Sequence, residues 1–371
     1  MNLVYVANVR LPTEKAHGVQ IMKMCEAFAL AGASVTLLVP RRRNLHAGEL
    51  FSAYGVGQKF SVEYLPVLEL PLWLPGAFWL QTVTFGLSTR RWLQKHTTSD
   101  AVYTRGEMVL LLARLLPRGT HLVWETHIKP GHPERYRRAL AAVVGVVAIT
   151  KHFASEIPAL WGISPDRVFY APDGVDVALF TKAMPQEDAR KRLGLPLDKK
   201  IVIYTGSDLP WKGLRYLRAA ALLLPENYEV CFVGPIAPNS NSVHQRFVGI
   251  RPYTEMPQWL AAADVLVLTG DPQSSTAQYY TSPMKLFEYL ASSKSVVAMR
   301  IPSFLDVLTE HNSFICEPDA ESLAIAIQYA VTHPGEAELR VAQASQEVIA
   351  YGWQTRAKSI LGFVNELTSK P

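Results

Sequence analysis

Residues 3–39, LVYVANVRLPTEKAHGVQIMKMCEAFALAGASVTLLV, carry the pattern that decides the fold. Leu3–Ala7 is an apolar run without polar alternation and reads as a first β-strand buried on both faces. A polar loop leads from it to Gly18. Ile21, Met24, Cys25 and Phe28 then fall at i, i+3, i+4 and i+7, which is one stripe of a helix. Gly32 stands just past the end of that stripe, where a glycine closes a helix, and Val35–Val39 is the next strand. Continuous apolar strands separated by helices indicate a parallel sheet covered on both faces.

The same rhythm runs outward along the chain. Further strands are expected at Ala101–Tyr103, Leu122–Trp124 and Val143–Ile149. Around residues 171–200 the texture changes to the turn-rich APDGVDVALF and the charged DARKRLGLPLDKK. Strands then resume at Ile201–Thr205, Glu229–Val233, Val265–Leu268, Ser295–Ala298 and Phe314–Cys316, with a helix from about Lys212 to Leu223. The expectation is an α/β protein of two doubly wound, Rossmann-like domains, with ligands at the carboxyl ends of the strands in the cleft between them. A chain of 371 residues fits two domains of ordinary size.

Composition excludes several classes. Hydrophobic residues make up 49% and charged ones 19%, which is too apolar for a disordered chain. Cys25, Cys231 and Cys316 lie far apart in apolar runs, so neither a disulfide framework nor a zinc cluster is expected, and a reducing cytoplasm is. The N-terminus reads as a strand and not as a signal peptide. The apolar segment Tyr64–Leu87 contains Glu69, Pro66, Pro71 and Pro75 and is not expected to span a membrane.

Of the 37 basic and 32 acidic residues, residues 1–180 hold 19 and 13, leaving 18 and 19 for the remainder. The first half is therefore the basic one, with clusters at Arg41–Arg43, at Arg90 and Arg91 with Lys95, and at Arg135, Arg137 and Arg138. Trp73, Phe78, Trp79, Phe85 and Trp92 lie among the first two. Such a surface suits the inner face of an anionic membrane, to which the chain would be peripheral. An ordinary solvated basic face fits equally. No nucleic-acid motif accompanies the charge.

Two stretches carry the chemistry. In YYTSPMKLFEYLASS (279–293), Ser282 reads as a helix N-cap and Pro283 as the first helical residue. The free amides there favour an anion such as a phosphate, with Tyr280, Thr281 and Met284 around it. Lys285 falls in the first turn, where either a bound anion or solvent would offset it. Glu288 sits among Leu286, Phe287, Tyr289 and Leu290, so it needs donors: ribose hydroxyls, or Lys285 itself. In YTGSDLPWKG (204–213), Gly206 permits close backbone approach and Lys212, at the next helix entrance, reaches a diphosphate. In the first half, Gly18 ends a polar loop, and His127 follows the strand ending at Trp124, as a structural or a site histidine. The absence of HExxH and CxxC argues against a metal, and that of GxGxxG and GxxxxGK[ST] against dinucleotide and P-loop enzymes.

The succession of a Gly-bearing first loop, PDGVDVALF, YTGSDLPWKG and SPMKLFEYLA resembles the retaining glycosyltransferases of family 4, of GT-B fold, over essentially the whole chain. The resemblance implies an N-terminal acceptor domain of residues 1–171, completed by a returning helix in 353–371, and a nucleotide-sugar domain of residues 172–352. It implies transfer of a sugar from a nucleotide-diphosphate donor to a hydroxyl acceptor, with no obligatory metal or cofactor, and the basic, aromatic first half favours a lipid-linked sugar or surface glycan as that acceptor. Lys212, His127 and Glu288 become the catalytic side chains. Gly18, Gly206, Ser207, Lys212, Tyr280–Lys285 and Glu288 become the donor site. Two positions depart from the family. Its paired glutamates, spaced E-x7-E, would put one at Tyr280, and its common basic residue after the loop glycine is Ser207 here. An epimerase or hydrolase on the same fold, or a decayed nucleotide-sugar-binding scaffold, are the alternative readings.

Overall fold

The computed structural model describes residues 1–369 apart from 14, 44–48, 72, 97–98, 108–109, 111–115, 128, 131, 183 and 239–243. The side chain of Arg135 also lies outside the described residues. The chain divides into two compact units, Met1–Pro172 with Trp353–Pro371, and Asp173–Gly352.

The first unit holds a seven-stranded sheet, β1 (Asn2–Val6), β2 (Ser34–Pro40), β3 (Ser61–Leu65), β4 (Ala101–Thr104), β5 (Leu122–Thr126), β6 (Val143–Ala148) and β7 (Val168–Tyr170). Their order is β3-β2-β1-β4-β5-β6-β7, and every pair is parallel. Leu3 lies beside both Val35 and Ala101, so the winding reverses at β1 and β4. Tyr5, Leu37, Tyr103 and Trp124 fill the centre of the core. The helix Trp353–Thr368 belongs to this unit: Phe363 stacks on Phe169 with ring centroids 5.1 Å apart. Gly145 in β6 makes room for it, since a Cβ there would meet Phe363 Cε1 at 2.9 Å.

The second unit holds β8 (Lys200–Thr205), β9 (Tyr228–Val233), β10 (Gln245–Gly249), β11 (Val265–Leu268), β12 (Ser295–Met299) and β13 (Phe314–Cys316). Their order is β10-β9-β8-β11-β12-β13, again all parallel, with the reversal at β8 and β11. Both sheets are thus doubly wound, as the apolar strands require.

Three strands escaped the apolar-run reading: β3, β7 and β10. All three are edge strands with few fully buried residues, so their sequences lack the continuous apolar run of a central strand. The helix expected from Lys212 begins later. Pro210–Lys212 is a single 3-10 turn, Gly213 adopts φ 62°, and the helix runs over Leu214–Ala221. Only glycine fits at 213, because a Cβ would lie 2.6 Å from the carbonyl of Gly270. Of the apolar segment Tyr64–Leu87, Tyr64 and Leu65 end β3 and residues 77–87 start the helix Ala77–Lys95, and no helix among the described residues is long and apolar enough to cross a membrane.

Candidate functional site

In the second unit the site grows from the carboxyl ends of β8 and β11. Gly206 follows β8 with φ 131°, and a Cβ there would lie 3.5 Å from Lys212 Nζ and 3.6 Å from the Tyr204 hydroxyl. Lys212 Nζ donates to Ser207 Oγ at 2.9 Å. Burial lowers Lys212 to about 8, so its charge is largely held at neutral pH and is lost as pH turns mildly alkaline. The loop after β11 is fastened to this turn. Thr269 Oγ1 donates to the Lys212 carbonyl at 2.7 Å, and Asp271 N to the Trp211 carbonyl at 2.9 Å. Arg215 forks onto both Asp271 oxygens, each at 2.9 Å.

Residues Met284–Ala291 form the helix that carries Lys285 and Glu288. Its N-cap is Pro283, and Ser282 stands one residue outside. The expected serine cap is therefore corrected: Ser282 Oγ accepts from the Asp173 amide at 3.0 Å, so this hydroxyl ties the start of the unit to the loop and does not satisfy a helix amide. Tyr280, Thr281 and Ser282 are all buried. Lys285 is only 9% exposed and does not reach into solvent; its Nζ stands 3.7 Å from the centroid of the Tyr204 ring. Glu288 is buried, and burial raises it to about 7, opposed by Tyr253 and Lys285. Tyr289, on the next position, accepts from the Thr205 amide at 2.8 Å and pins the end of β8. The second unit thus brings together Gly206, Ser207, Lys212, Lys285 and Glu288.

In the first unit, His127 follows β5. Its Nε2 lies 2.5 Å from Glu125 Oε1, and Glu125 is fully buried. Gln20 Nε2 reaches the same oxygen at 2.7 Å, while Tyr103 and Arg356 donate to Oε2, Arg356 at 2.9 Å. Burial pushes Glu125 up, but Arg356, His127 and Arg105 outweigh it and hold the carboxyl well below the ordinary range. Arg356, on the returning helix, also donates to the Ala171 and Pro172 carbonyls at 3.1 and 2.6 Å. Sequence reading passed over Glu125 and Arg356. The available signal was a carboxylate inside the apolar strand LVWET, which has to be paired.

Gly18 sits in the first turn of the helix Ala16–Leu30, not at the end of a free loop. A Cβ there would lie 2.6 Å from both Thr13 Cγ2 and the Tyr54 hydroxyl, so the close approach it permits is made by this chain's own Tyr54. A cavity of about 210 Å³ opens where the first sheet reverses, between the residues following β1 and β4. Asn8, Val9, Phe78, Arg105 and Glu107 line it. Of the basic residues named above, Arg41, Arg43, Arg91, Lys95, Arg137 and Arg138 are exposed and Arg90 is half-buried, whereas Arg42 turns inward and donates to Asn8 Oδ1 at 2.5 Å.

The helix Ala77–Lys95 mixes polar and apolar residues on both faces. Gln81, Thr82 and Thr89 are buried, while Phe78, Trp79, Leu80 and Leu87 are exposed by 40% or more and the nearby Trp73 by 80%. Phe85 is buried and Trp92 stacks on His96, so neither joins that surface.

Family models match both units. Residues 17–179 match the model described as Glycosyltransferase Family 4, and residues 199–333 that described as Glycosyl transferases group 1. The chain belongs to glycosyltransferase family 4. One family relative, a Bacillus subtilis protein named as a teichuronic acid biosynthesis glycosyltransferase, is 27% identical over 206 residues, 54% of this chain and 50% of its own length. The matched stretch thus spans about half of that relative. Sucrose-phosphate synthase from Thermosynechococcus elongatus has the same fold, with a TM-score of 0.80 at 17% identity over the whole of both chains. So does Anabaena HepE, solved in complex with UDP-glucose, with a TM-score of 0.74 at 17% identity over 99% of this chain and 100% of its own. With these neighbours the two parallel-sheet units are of the GT-B type.

Proposed function

We propose that this family member transfers a hexose from a nucleoside-diphosphate sugar to a hydroxyl acceptor, with the anomeric configuration retained. One observation carries the reading: Lys212, Lys285 and a buried Glu288 stand at the carboxyl ends of β8 and β11, where the second sheet reverses. That is where a doubly wound sheet binds nucleotides. Glu288 accepts the ribose hydroxyls once ionised, and Lys212 faces the diphosphate. The loop held by Arg215 and Asp271 keeps Lys212 in place. As the anomeric carbon–oxygen bond breaks, its electron pair passes to the diphosphate, whose growing charge Lys212 stabilises. The acceptor oxygen bonds to the anomeric carbon on the same face, and its proton passes to the departing phosphate oxygen. UDP-glucose in the Anabaena neighbour supports a donor of this class.

On the acceptor side, the cavity beside Phe78 and Arg105 receives the hydroxyl compound, and Glu125 orients His127. The helix Ala77–Lys95, with Phe78, Trp79, Leu80 and Leu87 exposed and Arg91 and Lys95 exposed near its end, supports an acceptor at an anionic membrane surface. The test is incubation with UDP-, GDP- and ADP-hexoses and a panel of lipid and soluble acceptors. The reading requires acceptor-dependent release of one nucleoside diphosphate and a product with the donor's anomeric configuration. Release without acceptor would make the protein a hydrolase. Binding without turnover would make it a scaffold, as Tyr280 at the family's glutamate position allows.

A further inference from the structure

We propose that Lys285 is the second cation of the diphosphate site, supplied from the first turn of the Met284 helix because the Gly206 loop offers only the Ser207 hydroxyl. The inference rests on the donor site proposed above. Lys285 Nζ is a buried amine without a hydrogen-bond partner. A charge so placed is costly unless something completes it, and the positive end of a helix adds to the cost. Its compensation within the chain is the face of the Tyr204 ring, 3.7 Å away, together with the pull of Glu288. Lys212 Nζ stands next to the space that Gly206 leaves open beside the Tyr204 hydroxyl. Both lysine amines therefore lie close to the Tyr204 side chain.

The groups facing Lys285 are Lys212 from the 3-10 turn, Tyr204 from β8 and Glu288 from its own helix, with Tyr253 beyond Glu288. Burial first, and then the repulsion of Lys212, hold Lys285 well below the ordinary lysine range, against the pull of Glu288. Two cations beside one reluctant carboxylate suit a ligand of at least two negative charges. A diphosphate spans both, and its arrival favours the protonated form of Lys285. In the transfer step the electron pair leaving the anomeric carbon then arrives between two ammonium groups.

The test is titration calorimetry with UDP, GDP, ADP and base-free inorganic pyrophosphate on the wild type, Lys285→Met and Lys285→Gln, with circular dichroism to confirm folding. A charge-assisted contact of this kind gives a loss of about tenfold to a hundredfold in affinity for nucleotide and for pyrophosphate. At pH 8, in two buffers of different ionisation enthalpy, the wild type should take up as much as one more proton per ligand than the variants. This readout would not move if the side chain only packed. Ser207→Arg in the Lys285→Met background should restore most of the lost affinity, by placing a cation where the loop has none. Equal affinities and equal proton uptake in the wild type and both variants would overturn the role of Lys285 while leaving the donor site standing. A wild type that binds neither nucleotides nor pyrophosphate would overturn both.

Discussion

Lys212→Met should lower activity and raise stability together. Burial brings Lys212 from 10.5 to about 8. At about 1.4 kcal/mol per unit, the folded protein carries roughly 3 kcal/mol of cost for this charge at pH 7. The lysine is partly exposed, and the variant loses the bond to Ser207, worth about 1 kcal/mol, so the net gain is about 2 kcal/mol. For a unit of this size that is an upward Tm shift of about 4–8 °C. The sign follows from the depressed value. The unfolded chain binds the proton more tightly below pH 8, so the penalty is full there and fades as pH rises towards 10.5. The gain of the variant should fade with it. Catalysis should respond in the opposite direction, with kcat falling about 10²–10³-fold, the usual loss when a group stabilising a developing anion is removed. The assays are release of nucleoside diphosphate in the presence of acceptor, and thermal denaturation at pH 7 and pH 10. Turnover within about threefold of the wild type would refute the leaving-group role. A variant less stable than the wild type at pH 7 would refute the electrostatic argument.

Glu288 should give nucleotide binding a pH dependence: affinity rises by up to about tenfold between pH 6 and 8 as the carboxyl ionises, then levels off, and Glu288→Gln flattens the curve in calorimetry. Arg356→Met leaves the buried Glu125 without its main counter-charge and should destabilise the first unit by about 3–5 kcal/mol at pH 7 in urea denaturation. Because Glu125 is held low in the folded wild type, that stabilisation is lost as pH falls through its folded value, so the gap between the two proteins should narrow on acidification. Trp73→Ser with Trp79→Ser should abolish sedimentation with anionic phosphatidylglycerol vesicles while leaving the Tm unchanged, since both rings are exposed.

What the sequence revealed follows burial. Central strands such as Leu122–Trp124 and Val265–Leu268 were legible because both faces are covered, so every residue is apolar. Edge strands such as Gln245–Gly249 were not, since their partly exposed residues look like loop. In the second unit's site, Gly206 was legible because the backbone demand there singled it out, whereas Gly213, which delays the helix expected from Lys212, was not. The serine cap failed because Ser282 faces a competing donor, the Asp173 amide, from more than a hundred residues away. Glu125 and Arg356 form their ion pair across 231 positions of sequence, a separation that no local pattern records.

The central claim is a nucleoside-diphosphate-sugar site in the second unit, and the most direct measurement is thermal stability against UDP-, GDP- and ADP-sugars in the wild type and Lys212→Met. At about 100 times its dissociation constant the true donor should add about 2.7 kcal/mol, an upward shift of about 5–10 °C, in the wild type, and far less in the variant. No shift with any of them, or an equal shift in both proteins, would contradict the account.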